Sequence, residues 1–319
     1  MPELFGSGLF DYATFFLTTA LSYSIICLGL NLQWGQTGLF NVGVAGFVAI
    51  GAYTSAILTT PATSAHLGGY DLPIIVGWLG AMIIAGAVSG LVGWVTLRLR
   101  SDYLAITTFG IAVTLQLLAL NAQPLTGGPF GIGFIPGAFE SLTESPLLHN
   151  LANLAVVVAV VTILYVALER LVRSPWGRVL RAIREDEKAA TSLGKSPSSY
   201  RLQAFVLGGA IMGLGGAVQA HFVGFISPDN YQSSLTFQVW TMLIIGGSGN
   251  NRGAIFGGVL IWAIWSASGM AISALFPPEE QARAAALQIV AIGIMLSLVL
   301  LMRPRGVFGE RLAVSRHLD

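Results

Sequence analysis

The chain consists largely of long apolar runs that carry almost no ionisable side chains. A helix that crosses a bilayer needs about 20 predominantly apolar residues. Stretches that meet or approach this length lie at 12–33, 40–60, 73–97, 103–121, 151–169, 201–223, 235–249, 254–276 and 284–302. Only 10% of the residues are charged, whereas about 25% are charged in an ordinary soluble domain. The sequence excludes a soluble enzyme and intrinsic disorder. It predicts an all-α polytopic membrane protein with about nine transmembrane helices.

Two glycine-rich, polar interruptions fall within these apolar runs. Residues 34–46 read WGQTGLFNVGVAG, and the short stretch 235–249 ends in Gly-Gly-Ser-Gly. Irregular backbone occurs at membrane depth where it lines a cavity or is buried in protein, so we predict one or two broken helices. Plain loops between helices are the alternative. No linker divides the chain, so residues 1–319 form one membrane domain, with its longest loops at about 122–150 and 170–201.

The basic residues predict how the chain is oriented. If the spans alternate in direction, fifteen of the sixteen Lys and Arg residues lie on one face, and only Arg283 lies on the other. The net charge of +1 hides this asymmetry. Because Lys and Arg concentrate in cytoplasmic loops, we expect a periplasmic N-terminus and a cytoplasmic C-terminus. The 170–201 loop is then cytoplasmic, and the 122–150 loop lies outside.

Paired glycines predict close contacts between helices. Two glycines four residues apart share one helix face and allow neighbouring backbones to approach. Such pairs are Gly86 and Gly90, Gly209 and Gly213, and Gly253 and Gly257.

Side chains for catalysis or ion coupling are nearly absent from the predicted spans, which disfavours a proton- or sodium-driven carrier. The single cysteine, Cys27, and four widely separated histidines form no metal-binding motif. Gly194-Lys195-Ser196 resembles the end of a nucleotide-binding loop, but Ala189 stands where that motif requires its first glycine. We therefore predict no catalytic residue, no metal and no cofactor bound by this chain. If ATP drives the protein, another chain hydrolyses it.

The hydrophilic segment 170–201 predicts a helix of about 18 residues. Ser174-Pro175 is a favourable helix start, and Gly194 a favourable end. Its narrow apolar stripe comprises Leu180, Ile183, Ala190 and Leu193. Such a helix suits docking into a groove of a soluble partner. A solvated or membrane-surface connecting helix is the alternative, and the residues alone do not separate the two.

Three motifs resemble the M-type permease subunits of branched-chain amino acid ABC importers. The stretch from Ser174 to Gly194, SPWGRVLRAIREDEKAATSLG, is similar to the cytoplasmic loop of that family. GLFNVGVAGFVAIGAYTSA, which begins at Gly38, matches a second stretch. SDYLAITTFG, which begins at Ser101, and the following LTGGPFGI match a third. The resemblance covers nearly the whole chain in the same order.

This resemblance implies a passive half of an ATP-driven importer in the bacterial inner membrane. Its implied partners are a second homologous permease chain, two ATP-binding subunits, a periplasmic substrate-binding protein and the lipid bilayer, with no nucleic acid. ATP and Mg would be held by the partner subunits. The segment 174–194 would be a coupling helix seated in a cleft of an ATP-binding subunit. The coupling residues implied by the match are Arg178, Arg181, Arg184, Glu185, Asp186, Glu187, Ala189, Ala190 and Gly194.

The sequence departs from the family pattern at three places. Lys188 occupies a position that is Glu in the broader importer pattern, with Glu187 one residue earlier. Asn41-Val42 stands where many members have Gly-His, and residues 248–252 replace a Gly-Leu-Gly turn. The same architecture also serves importers of urea and short-chain amides, so the substrate class stays open.

Polar residues embedded in the spans are the candidates for the translocation path. They are Asn31, Gln36, Thr37, Asn41, Thr107, Thr108, Gln116, Gln219 and Gln238. The alternative role for each is an interhelical hydrogen bond. Two other functions also remain open: a facilitative channel for urea or another small neutral solute, which needs no intramembrane charge, and a secondary carrier.

Overall fold

The computed structural model describes residues 2–63, 67–137, 146–277, 280–302 and 306–309. Its α-helices are α1 (Pro2–Thr37), α2 (Val44–Thr59), α3 (Ile74–Thr96), α4 (Ser101–Asn121), α5 (Gln123–Thr126), α6 (Pro146–Arg173), α7 (Pro175–Glu185), α8 (Glu187–Ser192), α9 (Pro197–Val223), α10 (Ser233–Gly246), α11 (Asn251–Leu275) and α12 (Gln281–Met302). Short 3₁₀ turns lie at Gly128–Phe130 and Pro228–Tyr231. Within these residues the only β-structure is an isolated antiparallel bridge between Ile132 and Ile226. The predicted all-α class is confirmed.

Every predicted apolar stretch overlaps one of these helices. Six helices are long and apolar enough to cross a membrane, namely α1, α3, α4, α6, α9 and α11. The shorter apolar helices α2 and α10 have 16 and 14 residues, and α12 is not among the six. A polytopic membrane architecture is thus confirmed, whereas the count of nine spans stays a prediction.

Helix α9 forms the centre of the bundle and packs against α1, α2 and α3. Its glycines make these contacts possible, as their spacing predicts. A Cβ atom added at Gly213 would lie 2.4 Å from the Cβ of Ala85, and one added at Gly209 would lie 2.4 Å from the Cβ of Ser89. A Cβ added at Gly51 of α2 would lie 2.0 Å from the carbonyl oxygen of Gly213. Because the lipid provides no hydrophobic force between helices, such close backbone contacts hold the bundle together.

Contacts along α1 define the two ends of the bundle. Asn31, near the end of α1, hydrogen-bonds to Asn251 at the start of α11, whereas Tyr12 contacts Ser266 further along α11. The two helices are therefore antiparallel. Helix α7 lies at the Asn31 end, because Arg184 hydrogen-bonds to the carbonyl of Gly35. We call this the inner end, and the opposite end the outer end.

The two predicted interruptions have different structures. Helix α1 continues through residues 34–37 and ends where Gly38 adopts a φ of +71°. Residues 38–43 then form a largely buried, non-helical segment that precedes the short α2, as expected for a broken span. By contrast, Gly247, with a φ of +114°, turns the chain tightly from α10 into α11. This second interruption is the plain loop that the sequence left as the alternative.

The predicted single helix between Ser174 and Gly194 is wrong, because the segment forms two helices. Asp186 separates α7 from α8 with an extended backbone at φ −149° and ψ 100°. Its carboxylate accepts hydrogen bonds from the backbone N–H groups of Lys188 and Ala189 at 2.9 and 3.0 Å. Asp186 is therefore the N-cap of α8, and an N-cap residue cannot also continue the preceding helix.

Candidate functional site

Helices α7 and α8 cover the inner end of the bundle with one buried face. Leu180 and Ile183 of α7 are fully buried, and Ala190 of α8 is nearly so. The sequence predicted one apolar stripe through Leu180, Ile183, Ala190 and Leu193, but the structure divides it: the first three are buried against the bundle, whereas Leu193 is 80% exposed. Gly194, with a φ of +76°, ends α8 immediately after Leu193 and so takes Leu193 out of the helical periodicity.

The opposite face of α7 and α8 is exposed. It carries a set of exposed residues that we call the outward stripe, formed by Arg178, Ala182 and Glu185 of α7 together with Ala189 of α8 and Leu193 at its end. Three of these side chains are apolar, and the two charged ones are of opposite sign. A largely exposed leucine and two exposed alanines, with charged residues among them, suit a surface that contacts a partner.

Six of the predicted coupling residues are exposed, and they either hold the segment in shape or lie on the outward stripe. Glu187 forms an ion pair with Arg201 of α9 at 2.9 Å, which fastens α8 to the bundle. Gly194 donates its N–H to Thr191, and the N–H of Lys195 bonds to the carbonyl of Ala190. These two bonds close the end of α8 in a Schellman arrangement. Arg181, by contrast, is half-buried and lines a cavity described below.

Arg184 joins α7 to the end of α1. Its guanidinium donates a hydrogen bond to the carbonyl of Gly35, and its Cγ atom lies beside Gly38, where α1 ends. Arg184 also lies 3.7 Å from the carboxylate of Glu185. These contacts connect α7 directly to the last turn of α1.

Buried amide groups extend this connection across the inner end. Asn31 donates to the side chain of Asn251 at 3.0 Å and accepts from the N–H of Gly249 at 2.8 Å. Gln36 donates to the carbonyl of Gly249 at 2.9 Å. The Asn251 amide in turn donates to Glu169 of α6 at 3.2 Å. This inner amide network, formed by Asn31, Gln36, Gly249 and Asn251, links α1 to α6 and to the turn between α10 and α11.

A second group of polar contacts fixes the non-helical segment 38–43. Asn41 donates to Gln33 at 2.7 Å, and its carbonyl accepts from the indole of Trp240 at 2.9 Å. The hydroxyl of Thr108 accepts from the N–H of Val42 at 3.0 Å. Irregular backbone at this depth needs such partners. The sequence reasoning missed Gln33, although it stands between Asn31 and Gln36 in the same apolar run.

The predicted path residues thus divide into two groups. Asn31, Gln36, Thr37, Asn41 and Thr108 are buried and hydrogen-bonded within the protein. Thr107, Gln116, Gln219 and Gln238 are half-buried. The Nε2 atom of Gln238 is buried without a hydrogen-bond partner among the described residues. Gln116 donates to the carbonyl of Pro228 at 3.3 Å, near the outer end. The assignment of either group to the translocation path stays a prediction.

A cavity of about 170 Å³ lies at the outer end beside Gln219. Tyr23, Asn230 and Tyr231 also line it, together with apolar side chains. Burial raises the pKa of the Tyr231 phenol well above its ordinary value, so this group is neutral and can donate or accept a hydrogen bond. No Asp, Glu, Lys or Arg side chain is among the residues that line this cavity.

Comparison with known proteins gives a consistent result over most of the chain. Residues 12–301 match the family described as branched-chain amino acid transport system / permease component. The high-affinity branched-chain amino acid transport system permease protein LivM of Escherichia coli K12 is 34% identical over 285 residues, which cover 82% of this chain. The chain spans only 63% of that relative's length.

Two further relatives match over nearly their full length. The probable branched-chain amino acid transport permease protein LivM of Methanocaldococcus jannaschii is 27% identical, with 91% of each chain covered. The corresponding LivH protein of Salmonella typhimurium is 26% identical, with 92% of this chain and 93% of LivH covered. No solved structure matches the chain.

Proposed function

The chain belongs to the family of branched-chain amino acid transport permeases, and from this premise we propose that it is the membrane-spanning permease subunit of an ATP-driven ABC importer for branched-chain or related amino acids. The observation that carries the proposal is the outward stripe on α7 and α8. Its exposed Leu193 and Ala189 lie on a segment whose other face is fixed to the bundle. This geometry suits a coupling element seated in a cleft of an ATP-binding subunit.

In the assembled importer, this chain pairs with a second homologous permease chain on two ATP-binding subunits. Those subunits hold ATP and Mg, and this chain binds no cofactor. A periplasmic binding protein delivers the substrate at the outer end. The chain crosses the inner membrane nine times, with the short helices α2 and α10 completed by irregular segments. Its N-terminus is periplasmic, and its C-terminus is cytoplasmic, as the distribution of basic residues supports.

Coupling begins when ATP binding closes the pair of ATP-binding subunits and moves α7 and α8. Arg184 transmits the movement to Gly35 at the end of α1. The inner amide network then carries it to the turn between α10 and α11. A set of packed helices and directed hydrogen bonds can adopt two arrangements and so switch the access of the path from one side to the other.

The substrate would enter near the outer cavity lined by Tyr23, Gln219 and Asn230. Neutral hydrogen-bonding groups beside apolar ones suit an amino acid with an apolar side chain. The same neutral lining also favours urea or a short-chain amide as the second candidate substrate. Competition by each unlabelled compound against leucine uptake separates these substrate classes. Conduction of urea by this chain alone, without ATP, would identify a channel instead.

The central experiment replaces Leu193 with Asp. The charge should disrupt a buried apolar contact with an ATP-binding subunit and weaken assembly by about 2 kcal/mol, or roughly thirtyfold. Co-purification of the ATP-binding subunits and ATP-driven leucine uptake in proteoliposomes measure the effect. Leu99→Asp is the matched control, because Leu99 is also exposed, at 42%, but lies outside α7 and α8. Equal assembly and uptake in the two variants would overturn the coupling role of the outward stripe.

A further inference from the structure

A second cavity, of about 800 Å³, lies at the inner end beside the inner amide network, and the function proposed above assigns no role to its arginines. It is enclosed by the end of α6, the start of α11, part of α7 and residues 307–309. Three arginines line it, Arg173, Arg181 and Arg252, against a single carboxylate, Glu169. The lining therefore carries an excess of two positive charges.

The contacts among the described residues do not balance this excess. Glu169 is already engaged, because it pairs with Arg173 at 2.7 Å and accepts from the amide of Asn251 at 3.2 Å. Arg252 donates to the hydroxyl of Tyr165 at 3.0 Å. Arg181 makes no hydrogen bond or ion pair with any described residue, although its side chain is half-buried. Two guanidinium groups thus face one cavity and form no ion pair with any residue that the structure describes.

We propose that this cavity binds a phosphate-bearing anion through Arg181 and Arg252. A guanidinium presents paired N–H donors that match two oxygens of one phosphate. The positive end of α11, which begins at Asn251 beside the cavity, adds to the attraction. Arg173 ends the apolar helix α6, so the cavity lies where a spanning helix leaves the hydrocarbon. An anionic phospholipid presents its headgroup phosphate at this level, and free phosphate presents the same chemistry from solution.

Thermal unfolding of the purified full chain in micelles of a zwitterionic detergent tests the proposal. Phosphatidylglycerol and phosphatidylcholine are added in parallel samples, and sodium phosphate is compared with sodium chloride at equal ionic strength. An anion that binds the folded chain stabilises it by RT ln(1 + [L]/Kd) and so raises Tm with its concentration. We expect phosphatidylglycerol, but not phosphatidylcholine, to raise Tm. In R181Q/R252Q the concentration needed for a given rise in Tm should increase by about tenfold or more, since hydrogen bonds between charged groups are lost.

The matched control is R98Q/R100Q, which also removes two positive charges. Arg98 and Arg100 are exposed and lie at the same end, because Gly93 of α3 packs against Phe205 near the start of α9. This control should keep the Tm increase of the unmodified chain. R181K/R252K retains both charges but not the paired donors, and its affinity should fall between those of the unmodified chain and the glutamine variant.

Each outcome decides the proposal. If only phosphatidylglycerol raises Tm, the cavity is a site for a lipid headgroup. If sodium phosphate raises Tm as well, the cavity is a site for the phosphate group itself. If R181Q/R252Q and R98Q/R100Q showed equal increases in Tm, the increase would be due to general surface charge, and the proposed site would be overturned. If neither anion raised the Tm of the unmodified chain, the proposed site would be overturned whatever the variants showed.

Discussion

The centre of the bundle and the segment formed by α7 and α8 are held together by different forces. At the centre, α1, α2 and α3 meet α9 through glycines, and the backbones approach so closely that no side chain fits between them. The segment α7–α8 instead buries three apolar side chains, is shaped by the Asp186 cap, and is joined to the bundle by a few polar contacts, among them the Glu187–Arg201 pair and the Arg184–Gly35 bond.

This difference indicates which parts of the molecule are rigid and which can move. Close packing without voids has few alternative arrangements, so the centre should behave as one rigid body. A segment held by a few polar bonds at a water-exposed surface loses little free energy when it shifts. The part that we expect to contact a partner is therefore also the part that can move. Substitutions in each region test this contrast in rigidity.

The largest effect should come from a methyl group placed in the centre. In Gly51→Ala the new Cβ would lie 2.0 Å from the carbonyl oxygen of Gly213, and this neighbour is backbone. The helices must separate, and we expect a loss of about 3 kcal/mol in the free energy of unfolding. Thermal unfolding of the purified chain in micelles measures the loss.

The control for this variant is Gly110→Ala on α4. No atom lies within 4 Å of a Cβ added at Gly110, and alanine favours a helix over glycine by about 1 kcal/mol. Gly110→Ala should thus leave Tm unchanged or raise it slightly. A similar loss of Tm in both variants would refute the view that close backbone contact, and not glycine as such, stabilises the centre.

An intermediate effect is expected from the inner amide network, which connects the two regions. Asn31→Leu keeps the approximate volume of the side chain but leaves the N–H of Gly249 and the side chain of Asn251 without their buried partner. The loss of these hydrogen bonds should lower the free energy of unfolding by about 1–3 kcal/mol. Asn121→Leu is the control, because Asn121 is exposed and bonds only within its own helix, to the carbonyl of Leu117. Equal unfolding curves would show that the network contributes no stability.

The sequence predicted the helices well because the hydropathy of a span is a local property. Glycine spacing also predicted the contacts of Gly209 and Gly213, since two residues four apart must share a face. The break at Asp186 was not predicted, because the charged run around it also satisfies helical i,i+4 pairing. An acidic residue can stand at an N-cap or within a helix, and only the three-dimensional arrangement shows which of the two roles it has.

The candidate site was less predictable than the fold for a related reason. A polar side chain in an apolar run can either line a path or bond to a neighbouring helix, and both roles require the same residue types. Asn31 and Asn41 have interhelical or local partners, whereas Gln219 lines the outer cavity. The cavity with Arg181 and Arg252 was not predicted at all, because its arginines come from separate parts of the chain and meet only in the fold.

The smallest effect on stability should come from Asp186, in the segment that we expect to move. Asp186→Ala removes the N-cap and should lower the free energy of unfolding by about 1 kcal/mol. This destabilisation should be confined to the first turn of α8. Because this is far less than the loss in Gly51→Ala, Tm should fall only slightly, while co-purification with the ATP-binding subunits falls clearly.

Asp186→Asn separates the two roles that this carboxylate can have. Asparagine caps a helix about as well as aspartate, so the variant keeps the bonds to Lys188 and Ala189 but loses the negative charge. If Asp186 acts by shaping α8, Asn should retain assembly and uptake, whereas Ala should not. If instead Asn fails as Ala does, the charge itself contacts the partner, and α8 takes part in binding through its N-terminus as well as through the outward stripe. In either case, far-UV circular dichroism should show that the helices of the bundle remain intact, since nothing in the centre depends on Asp186.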